Sequence, residues 1–360
     1  MSDLKTINTG TAIRDGLAEV AKRDQNVLFF AEGVADPSSM FGTLKDLGDV
    51  IGPERLIEMP VAENGLCGVA IGTAMMGKRP VISFQRVEFA LLAIEQFIDN
   101  AAKMHYISNG HHTAPIVLRV VIGRGWGQGP EHSQSLEPLF AHIPGLKVAM
   151  PTYPADAKGM VVAAVEDDNP VVLIEHRWCH YVQGQVPDGY YSGSLDGPKM
   201  LRSGKDVTIV ATSYPVLEAM RAAEALANIG VEAEVFDLRV LRPLNLDDIF
   251  DSIRKTGSLI TVDTGFRILG MGSEIIAQVT ESCFGALQRA PLRIGMPDHP
   301  TPSSRGMLPG LYPDSVRIVN ESCAMLGVSE DRRAAAEKEL IEARGDLPLD
   351  VPDPHFRGPF

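Results

Sequence analysis

The sequence predicts an α/β fold built as two domains. Short apolar runs of strand length alternate with longer runs whose apolar positions recur at helical spacing, a pattern typical of α/β proteins. The chain has 360 residues, more than the roughly 150 that one domain usually contains. The alternation forms two series, and the stretch between them is rich in Gly, Pro, Ser and Tyr and lacks periodicity, which indicates a connection between domains.

The first series predicts a domain over residues 1–185. Buried strands are expected in the apolar runs NVLFFAEGV (26–34), RPVISF (79–84), APIVLRVVIG (114–123), LKVAMPT (146–152) and NPVVLIEH (169–176). Helices are expected where small or apolar residues recur at helical spacing, at 66–77, 89–108 and 154–167.

The second series predicts a linker over 186–205 and a domain over 206–340. Its strands are expected in DVTIVATS (206–213), VEAEVFDLRVL (231–241) and SLITVDTG (258–265), and its helices at 214–230 and 272–287. The remaining residues, 341–360, are rich in proline and predict an extended tail.

Charge and cysteine content exclude several classes of protein. A formal net charge of −13 disfavours nucleic acid or an anionic membrane as a partner. No apolar run reaches the roughly 18 residues of a membrane span, and the N-terminus has no signal-peptide core. The cysteines form no CxxC pair, so we expect reduced thiols in a cytoplasmic protein without a zinc site: Cys67, Cys179, Cys283 and Cys323.

Two histidine positions suggest chemistry only weakly. His132 follows the glycine-rich loop GRGWGQGPEHSQS, where an imidazole could exchange protons near neutral pH. On position alone, a histidine satisfied by backbone groups at a helix start is the simpler interpretation. His176 and His180 have an i, i+4 spacing that suits a metal, but no carboxylate or cysteine completes a convincing ligand set.

Glu63 is harder than these histidines to explain by a purely structural role. It is the only acid in PVAENGLCGVAIGTAMMGKRP (60–80), a segment that otherwise consists mostly of small and apolar residues. A carboxylate in an apolar setting is unfavourable unless it is paired or protonated. An acid at a helix N-terminus is also favoured by the helix dipole, so position alone leaves both interpretations open.

Motifs spread along the chain resemble the β subunit of the thiamine diphosphate-dependent decarboxylase component of 2-oxo acid dehydrogenases, of the pyruvate and branched-chain type. The resemblance rests on MPVAENGLCGVAIGTAMMGKRPVISF, AIEQFIDNAAK, the segment GPEHSQSLEPLF with the residues that follow it to VVLIEH, and FDLRVLRPLNLDDI, and it covers roughly residues 5–325. It implies a pyrimidine-binding α/β domain followed by a transketolase C-terminal-type α/β domain.

The resemblance implies a role for each of several residues. Glu63 matches the glutamate that hydrogen-bonds N1′ of the aminopyrimidine, where a protonated carboxyl favours the imino tautomer that removes the C2 proton. Phe89 matches the aromatic residue stacked on that ring, and Val61 and Gln85 match residues near it. His132 matches the histidine that faces the thiazolium and handles protons or the acyl group. Glu32 matches an acid that relays protons between paired active sites.

The resemblance also implies metals and partners. Ile116, Ala164, Asp167 and Asn169 match a structural potassium site made of oxygen ligands. The sequence has no GDG motif, with which these enzymes hold the Mg²⁺ and the diphosphate. We therefore expect a separate α subunit to carry that half of the site in an α2β2 heterotetramer, with a lipoyl acyltransferase as a further partner.

The sequence departs from the family pattern in two places. Gly33 stands where a second acid usually follows Glu32, which puts the details of an acid relay in doubt. Arg124 and Trp126 stand where pyruvate-type members carry smaller residues, and IEHRWCHYV (174–182) is also unusual. Both segments flank the predicted substrate side, so they are expected to suit a bulkier or more polar substrate or acceptor.

Three functions follow as hypotheses. The first is a 2-oxo acid dehydrogenase β subunit that decarboxylates a 2-oxo acid and transfers the acyl group to a lipoyl domain. The second is a split transketolase-like or acyloin-forming transferase, in which an aldehyde is the acceptor. The third is a non-catalytic subunit, against which the presence of Glu63, Phe89 and His132 argues. A neighbouring gene for a lipoyl acyltransferase would favour the first over the second.

Overall fold

The computed structural model describes residues 3–36, 38–125, 127–351 and 353–356. The chain forms two compact units. The first unit comprises Met1–Leu195, Val240–Pro243 and His355–Phe360, and the second comprises Asp196–Arg239 and Leu244–Pro354. Each unit is α/β, as the sequence predicts.

The β-strands are β1 (Leu4–Asn8), β2 (Val27–Ala31), β3 (Leu56–Glu58), β4 (Arg79–Phe84), β5 (Val117–Ile122), β6 (Lys147–Ala149), β7 (Val171–His176), β8 (Gln183–Pro187), β9 (Lys199–Arg202), β10 (Val207–Ala211), β11 (Ala233–Asp237), β12 (Val240–Arg242), β13 (Leu259–Phe266) and β14 (Leu292–Met296). The strands expected from apolar runs are all present. Their interior residues are buried because helices and loops cover both faces of a parallel sheet.

The α-helices are α1 (Thr9–Arg23), α2 (Leu47–Ile51), α3 (Glu63–Met75), α4 (Met104–Ile107), α5 (Glu137–Ala141), α6 (Pro154–Glu166), α7 (Tyr214–Asn228), α8 (Asp247–Thr256), α9 (Met271–Cys283), α10 (Ser315–Leu326) and α11 (Glu330–Arg344). Asn8 begins α1 by accepting the Thr11 amide at 2.8 Å, a typical N-cap. Among the described residues, no helix has the length and apolar character needed to cross a membrane.

The first unit contains a seven-stranded sheet in the order β12-β6-β7-β5-β4-β2-β3. The strands are parallel except for β12, which pairs antiparallel with β6. Helices α1 and α6 approach closely because residue 16 is glycine: a Cβ there would lie 2.6 Å from Val161 Cγ1. Strands β1 and β8 form a separate antiparallel pair.

The second unit contains a five-stranded sheet in the order β14-β13-β10-β11-β9. Its strands are parallel except for the edge strand β9, which pairs antiparallel with β11. Buried apolar residues on β10, β11 and β13 supply its core together with helices such as α7.

The structure differs from the expected secondary structure at 89–108. In place of one α-helix it has a 3-10 segment (Phe89–Ala93), a π-helix (Gln96–Ala101) and the short α4. Apolar positions recur every three to five residues in all these forms, so spacing alone does not distinguish them. π-Helical turns occur often beside functional sites.

The segments between and after the predicted domains are also more ordered than expected. Within 186–205, the strand β9 pairs with β11, and β8 extends to Pro187. Helix α11 continues to Arg344, inside the predicted tail. Phe356 is buried, and its ring meets Tyr181 edge-on at 5.4 Å. Proline and glycine residues interrupt the apolar pattern in these stretches. The strand β9 and the contact of Phe356 therefore could not be recognised from the sequence.

Candidate active site

The predicted site residues lie where the parallel strands of the first unit end. Glu32 follows β2, Gln85 to Phe89 follow β4, the loop to His132 follows β5, and Arg177 follows β7. These strands are neighbours in the order β7-β5-β4-β2. Since the carboxyl ends of parallel strands share one edge of the sheet, the loops converge there, as ligand sites in α/β sheets do. We call this edge the carboxyl edge.

Glu63 is the first residue of α3 and is only 4% exposed. The preceding Ala62 has no side-chain oxygen with which to cap the helix, so the acid itself lies in the positive field of the N-terminus. Asn64 fixes this turn by donating to the Leu92 carbonyl at 3.3 Å and accepting from Gln96 at 3.2 Å. The first turn of α3 is thereby tied to the segment that carries Phe89.

Glu32 shares the environment of Glu63. Burial, with the charges of Glu63 and Glu58 adding to it, raises the pKa of Glu32 to about 7. Its Oε1 is buried and, among the described residues, has no hydrogen-bond partner. A carboxyl in this state can hold or release a proton near neutral pH, as an acid–base group must.

The turn after Glu32 explains the missing second acid. Gly33 has φ +78°, and a Cβ at this position would lie 2.1 Å from Gln85 Nε2. The Glu58 carboxylate accepts the Gly33 amide at 2.9 Å and the Ala35 amide at 3.1 Å. Position 33 therefore favours glycine, and Glu58 supplies the nearby negative charge that sequence analysis did not find.

Replacing Glu32 with Gln is expected to weaken the dependence of stability on pH. In the wild-type chain the folded state holds the Glu32 proton more tightly than the unfolded state, so stability falls as pH rises from about 4.5 to about 7. The effect is on the order of 1 kcal/mol for a half-buried, partly screened group. The melting temperature of Glu32→Gln should fall less between pH 5 and pH 8. An equal fall in both, with the exposed Glu131→Gln as control, would contradict this.

Cys67 is a third titratable side chain near Glu32 and Glu63. Cys67 lies one helical turn after Glu63 and is fully buried. Burial, followed by the charges of Glu32 and Glu63, raises the pKa of Cys67 to about 12. Cys67 is thus an uncharged packing residue, and the acids are the groups that can exchange protons here.

His132 and Phe89 come together on the loops after β5 and β4. Their ring centroids are 5.9 Å apart with the planes inclined by 53°. His132 Nδ1 pairs with Glu88 Oε1 in a short contact. A carboxylate on one ring nitrogen fixes the orientation of the imidazole and leaves Nε2 for a substrate. Glu88 was missed, although its place immediately before Phe89 was visible in the sequence.

The other predicted cofactor residues have contrasting surroundings. Gln85 donates to Asp36 Oδ2 at 3.2 Å, and Phe89 is half-buried. Val61 is 85% exposed. The buried Glu63, the orphaned oxygen of Glu32 and the half-buried Phe89 ring fit an aminopyrimidine, which needs a carboxyl at one ring nitrogen and apolar contact with its face.

Neither of the two residues predicted to tune the choice of substrate is tested by the structure. Arg124 is fully buried, and its carbonyl accepts the indole N–H of Trp178 at 2.8 Å. Its predicted contact with a substrate stays a prediction. Trp126 lies outside the described residues.

One of the predicted potassium ligands, Asp167, contacts cationic side chains. The Asp167 carboxylate pairs with Lys147 and accepts the Asn169 amide at 2.9 Å, and its carbonyl accepts from Arg79 at 3.0 Å. The Ile116 carbonyl accepts the Val171 amide at 3.0 Å. Ala164 is buried within α6. The Asp167 oxygens thus have cationic partners within this chain, and potassium binding by the whole set stays a prediction.

Among the residues that the structure describes, no group of His, Cys, Asp and Glu side chains is arranged to hold a metal. His180 Nε2 bonds Glu175 Oε2 at 2.9 Å, and Glu175 also pairs with the buried Arg119 at 2.7 Å. His176 Nδ1 accepts the Trp178 amide at 3.2 Å, and burial lowers the pKa of His176 to about 3. These histidines have structural partners, and all described cysteines are buried and form no disulfide.

Comparison with known families agrees with both units. Residues 5–179 match the family described as transketolase, pyrimidine binding domain, and residues 198–318 match transketolase, C-terminal domain. The site residues from Glu32 to Arg177 all lie within the first match.

Individual relatives cover most of both chains. The β subunit of acetoin:2,6-dichlorophenolindophenol oxidoreductase from Cupriavidus necator is 34% identical over 85% of this chain and 94% of its own length. The mitochondrial pyruvate dehydrogenase E1 β subunit of Caenorhabditis elegans is 38% identical over 87% and 91%. A solved split-gene transketolase, described as an inactive β4 tetramer, superposes with a TM-score of 0.72 at 25% identity, covering 89% of this chain and 99% of that one. The chain therefore belongs to the family of β subunits of thiamine diphosphate-dependent 2-oxo acid dehydrogenases.

Proposed function

We propose that this chain supplies the pyrimidine half of the active site of an enzyme that decarboxylates a 2-oxo acid and passes the acyl group to an acceptor. The single observation that carries the proposal is the buried Glu63 at the N-terminus of α3, beside the proton-holding Glu32. Family membership supports a partner α subunit, which would hold the diphosphate through Mg²⁺, in an α2β2 assembly.

Three residues of this chain would hold the cofactor's pyrimidine. Glu63 would hydrogen-bond N1′, Phe89 would contact the ring face, and Glu32 would exchange a proton with the surrounding network. When bound, thiamine diphosphate would supply an acidic carbon whose conjugate base can bond to the substrate carbonyl carbon, and a cationic ring that can take up the electron pair left when CO₂ departs. Glu63 serves this chemistry by keeping a proton at N1′, which requires a carboxyl shielded from water.

His132 would act on the substrate side. Glu88 holds its Nδ1, so Nε2 is the nitrogen that can donate a proton to, or accept one from, a substrate oxygen. His132 remains 40% exposed at its side chain, which leaves it accessible to a substrate.

The outer face of α3 supports an interface with a partner subunit. Val69, Met75 and Met76 are 56%, 50% and 83% exposed. Cβ atoms added at Gly65 and Gly72 would meet no atom within 4 Å, so a backbone from another subunit can approach closely there. Exposed apolar residues on a helix whose first residue is Glu63 are expected to be covered when the active site is complete.

The isolated chain is expected to bind thiamine diphosphate at least about 100-fold more weakly than the assembled complex, because the diphosphate and Mg²⁺ contribute most of the charged contacts. Titration calorimetry with and without the coexpressed α subunit measures the difference. Gly72→Leu on the outer face of α3 should block assembly, whereas Gly285→Leu, whose Cβ position is also open and whose φ is not positive, serves as a glycine control. Tight, Mg²⁺-dependent binding by the isolated chain would refute the division of the site.

The acceptor decides between two versions of the reaction. The reconstituted complex should be supplied with 2-oxo acids and with a dye, lipoamide or an aldehyde as acceptor. Reductive acylation of lipoamide supports the dehydrogenase and a lipoyl acyltransferase partner. Carbon–carbon bond formation with an aldehyde supports the carboligase alternative, which the likeness to a split-gene transketolase favours. A complex that releases no CO₂ from any 2-oxo acid would overturn the proposed function.

A further inference from the structure

Two buried arginines lie together at the carboxyl edge, and no carboxylate of the described residues forms an ion pair with either. Arg86 follows β4 and Arg177 follows β7, and they are 7% and 2% exposed. Their guanidinium groups bond the same atom, Gln128 Oε1, at 2.9 Å from Arg86 Nη2 and 2.6 Å from Arg177 Nη1. Both also lie over the ring of Phe41, at 5.0 and 4.9 Å from its centroid. We call Arg86 and Arg177 the arginine pair, and Gln128 bridges the two.

The charge of the arginine pair is not neutralised within the described part of the chain. No described carboxylate lies within 4.0 Å of either guanidinium. The charge of Glu88 acts on both arginines, and its Oε1 is paired with His132. Burial lowers the pKa of Arg86 to about 10, and burial together with the charge of Arg86 lowers the pKa of Arg177 to about 9.

Several donors of the pair have no acceptor. Arg86 Nε and Arg177 Nε and Nη2 are buried without a hydrogen-bond partner among the described residues. Unpaired buried N–H groups on two adjacent cations are costly, and an anion would relieve both the repulsion and the lost hydrogen bonds. The site is also shaped for Arg177: a Cβ at Gly125 would lie 2.1 Å from Arg177 Nη1, so glycine gives the guanidinium room.

We propose that Arg86 and Arg177 bind an anionic group of the substrate that survives the reaction, a carboxylate or phosphate remote from the 2-oxo acid group. Guanidinium forks match the paired oxygens of both anions. The inference rests on the proposed function and deepens it, because it assigns the enzyme a substrate with a second negative charge. The unusual segment IEHRWCHYV (174–182), which contains Arg177, thereby acquires a function.

The carboxylate that is lost as CO₂ does not fit the arginine pair. In that step the bond between the carboxylate and the carbonyl carbon breaks, its electron pair stays with the carbon, and the departing group becomes neutral. Two cations on that carboxylate would stabilise the ground state more than the transition state and would slow the reaction. A remote anion keeps its charge throughout, so its binding holds the substrate beside His132 without opposing decarboxylation.

The test uses variants that remove or neutralise the pair in the complex with the α subunit. Arg86→Gln and Arg177→Gln each remove one cation, and Gln128→Glu provides an internal carboxylate that occupies the pair. Arg14→Gln, a half-exposed arginine paired with Asp15, is the control. Gln128→Glu should raise the melting temperature, because it neutralises buried charge, so loss of function in this variant is not loss of fold.

Binding of succinate and inorganic phosphate, measured by calorimetry, reports on the site without turnover. The wild-type and Arg14→Gln complexes should bind at least one anion, and which one binds more tightly identifies the group. Each of the three pair variants should lose at least about tenfold in affinity. Equal binding in the wild type and the pair variants, or no binding by the wild type, would overturn the inference.

Turnover separates this inference from the proposed function. In the pair variants, kcat/KM for 2-oxoglutarate should fall at least about tenfold relative to kcat/KM for pyruvate. An unchanged ratio in a complex that decarboxylates both acids would refute the substrate assignment alone. Anion binding that depends on the pair, in a complex that decarboxylates no 2-oxo acid, would refute the proposed function and leave the anion site standing.

Discussion

Glu63→Gln is expected to lower the rate of C2 proton exchange of the bound cofactor at least about 100-fold in the complex with the α subunit. The carboxyl lies at the first turn of α3, is 4% exposed, and is the group placed to hold a proton at N1′. Glutamine keeps the size of the side chain but cannot pass a proton. Exchange of C2 deuterium, followed by NMR after rapid quenching, measures this step before any substrate is involved.

The fold and assembly of Glu63→Gln should be unaffected, since an amide is tolerated at a helix N-terminus. The exposed Glu54→Gln, in the loop before β3, is the matched control and should exchange at the wild-type rate. Near-normal exchange in Glu63→Gln would remove Glu63 from the chemistry and leave the helix-dipole interpretation.

His132→Ala is expected to reduce transfer to the natural acceptor by about 10²–10⁴-fold while retaining much of the decarboxylation measured with an artificial oxidant. The imidazole would act on the acyl group after CO₂ has left, so the two half-reactions should separate. Comparing lipoamide or aldehyde acceptors with a dye in the same preparation measures this split.

Two further variants distinguish chemistry from structure at this position. His132→Asn retains a polar group that can cap a helix, so wild-type transfer in this variant would favour a structural role. Glu88→Gln weakens the hydrogen bond to His132 Nδ1. We therefore expect kcat for transfer to fall while KM stays close to the wild-type value. A rise in KM alone would indicate that Glu88 merely shapes the pocket.

The strands could be predicted from the sequence because a parallel sheet covered on both faces needs continuous apolar runs. VLRVVI in β5 is buried at every position, and its one charged residue, Arg119, is paired with the buried Glu175. Glu63 was also predictable, since an acid in an apolar helix start is a local anomaly. The resemblance to a family then assigned these separate residues to one cofactor-binding site.

The contacts that complete the site could not be predicted, because they depend on strand order. Glu88 and His132 are 44 residues apart, and Arg86 and Arg177 share Gln128 across 42 and 49 residues. These pairs form only because β4, β5 and β7 are adjacent in the sheet. The π-helical turn at Gln96–Ala101 was hidden for a different reason, since its residues are also compatible with an α-helix.

The edge strand β12 has a consequence for how this protein is made and how it can be divided. Val240–Arg242 pairs with β6, so a sheet composed otherwise of residues before 195 is finished by residues encoded much later. During translation the β6 edge stays open until residue 243 has left the ribosome, and open edges invite pairing with other chains. A fragment ending near Leu195 would keep that edge permanently exposed. Gene fission or domain exchange at this boundary, although it separates two compact units, should therefore yield a poorly soluble first half.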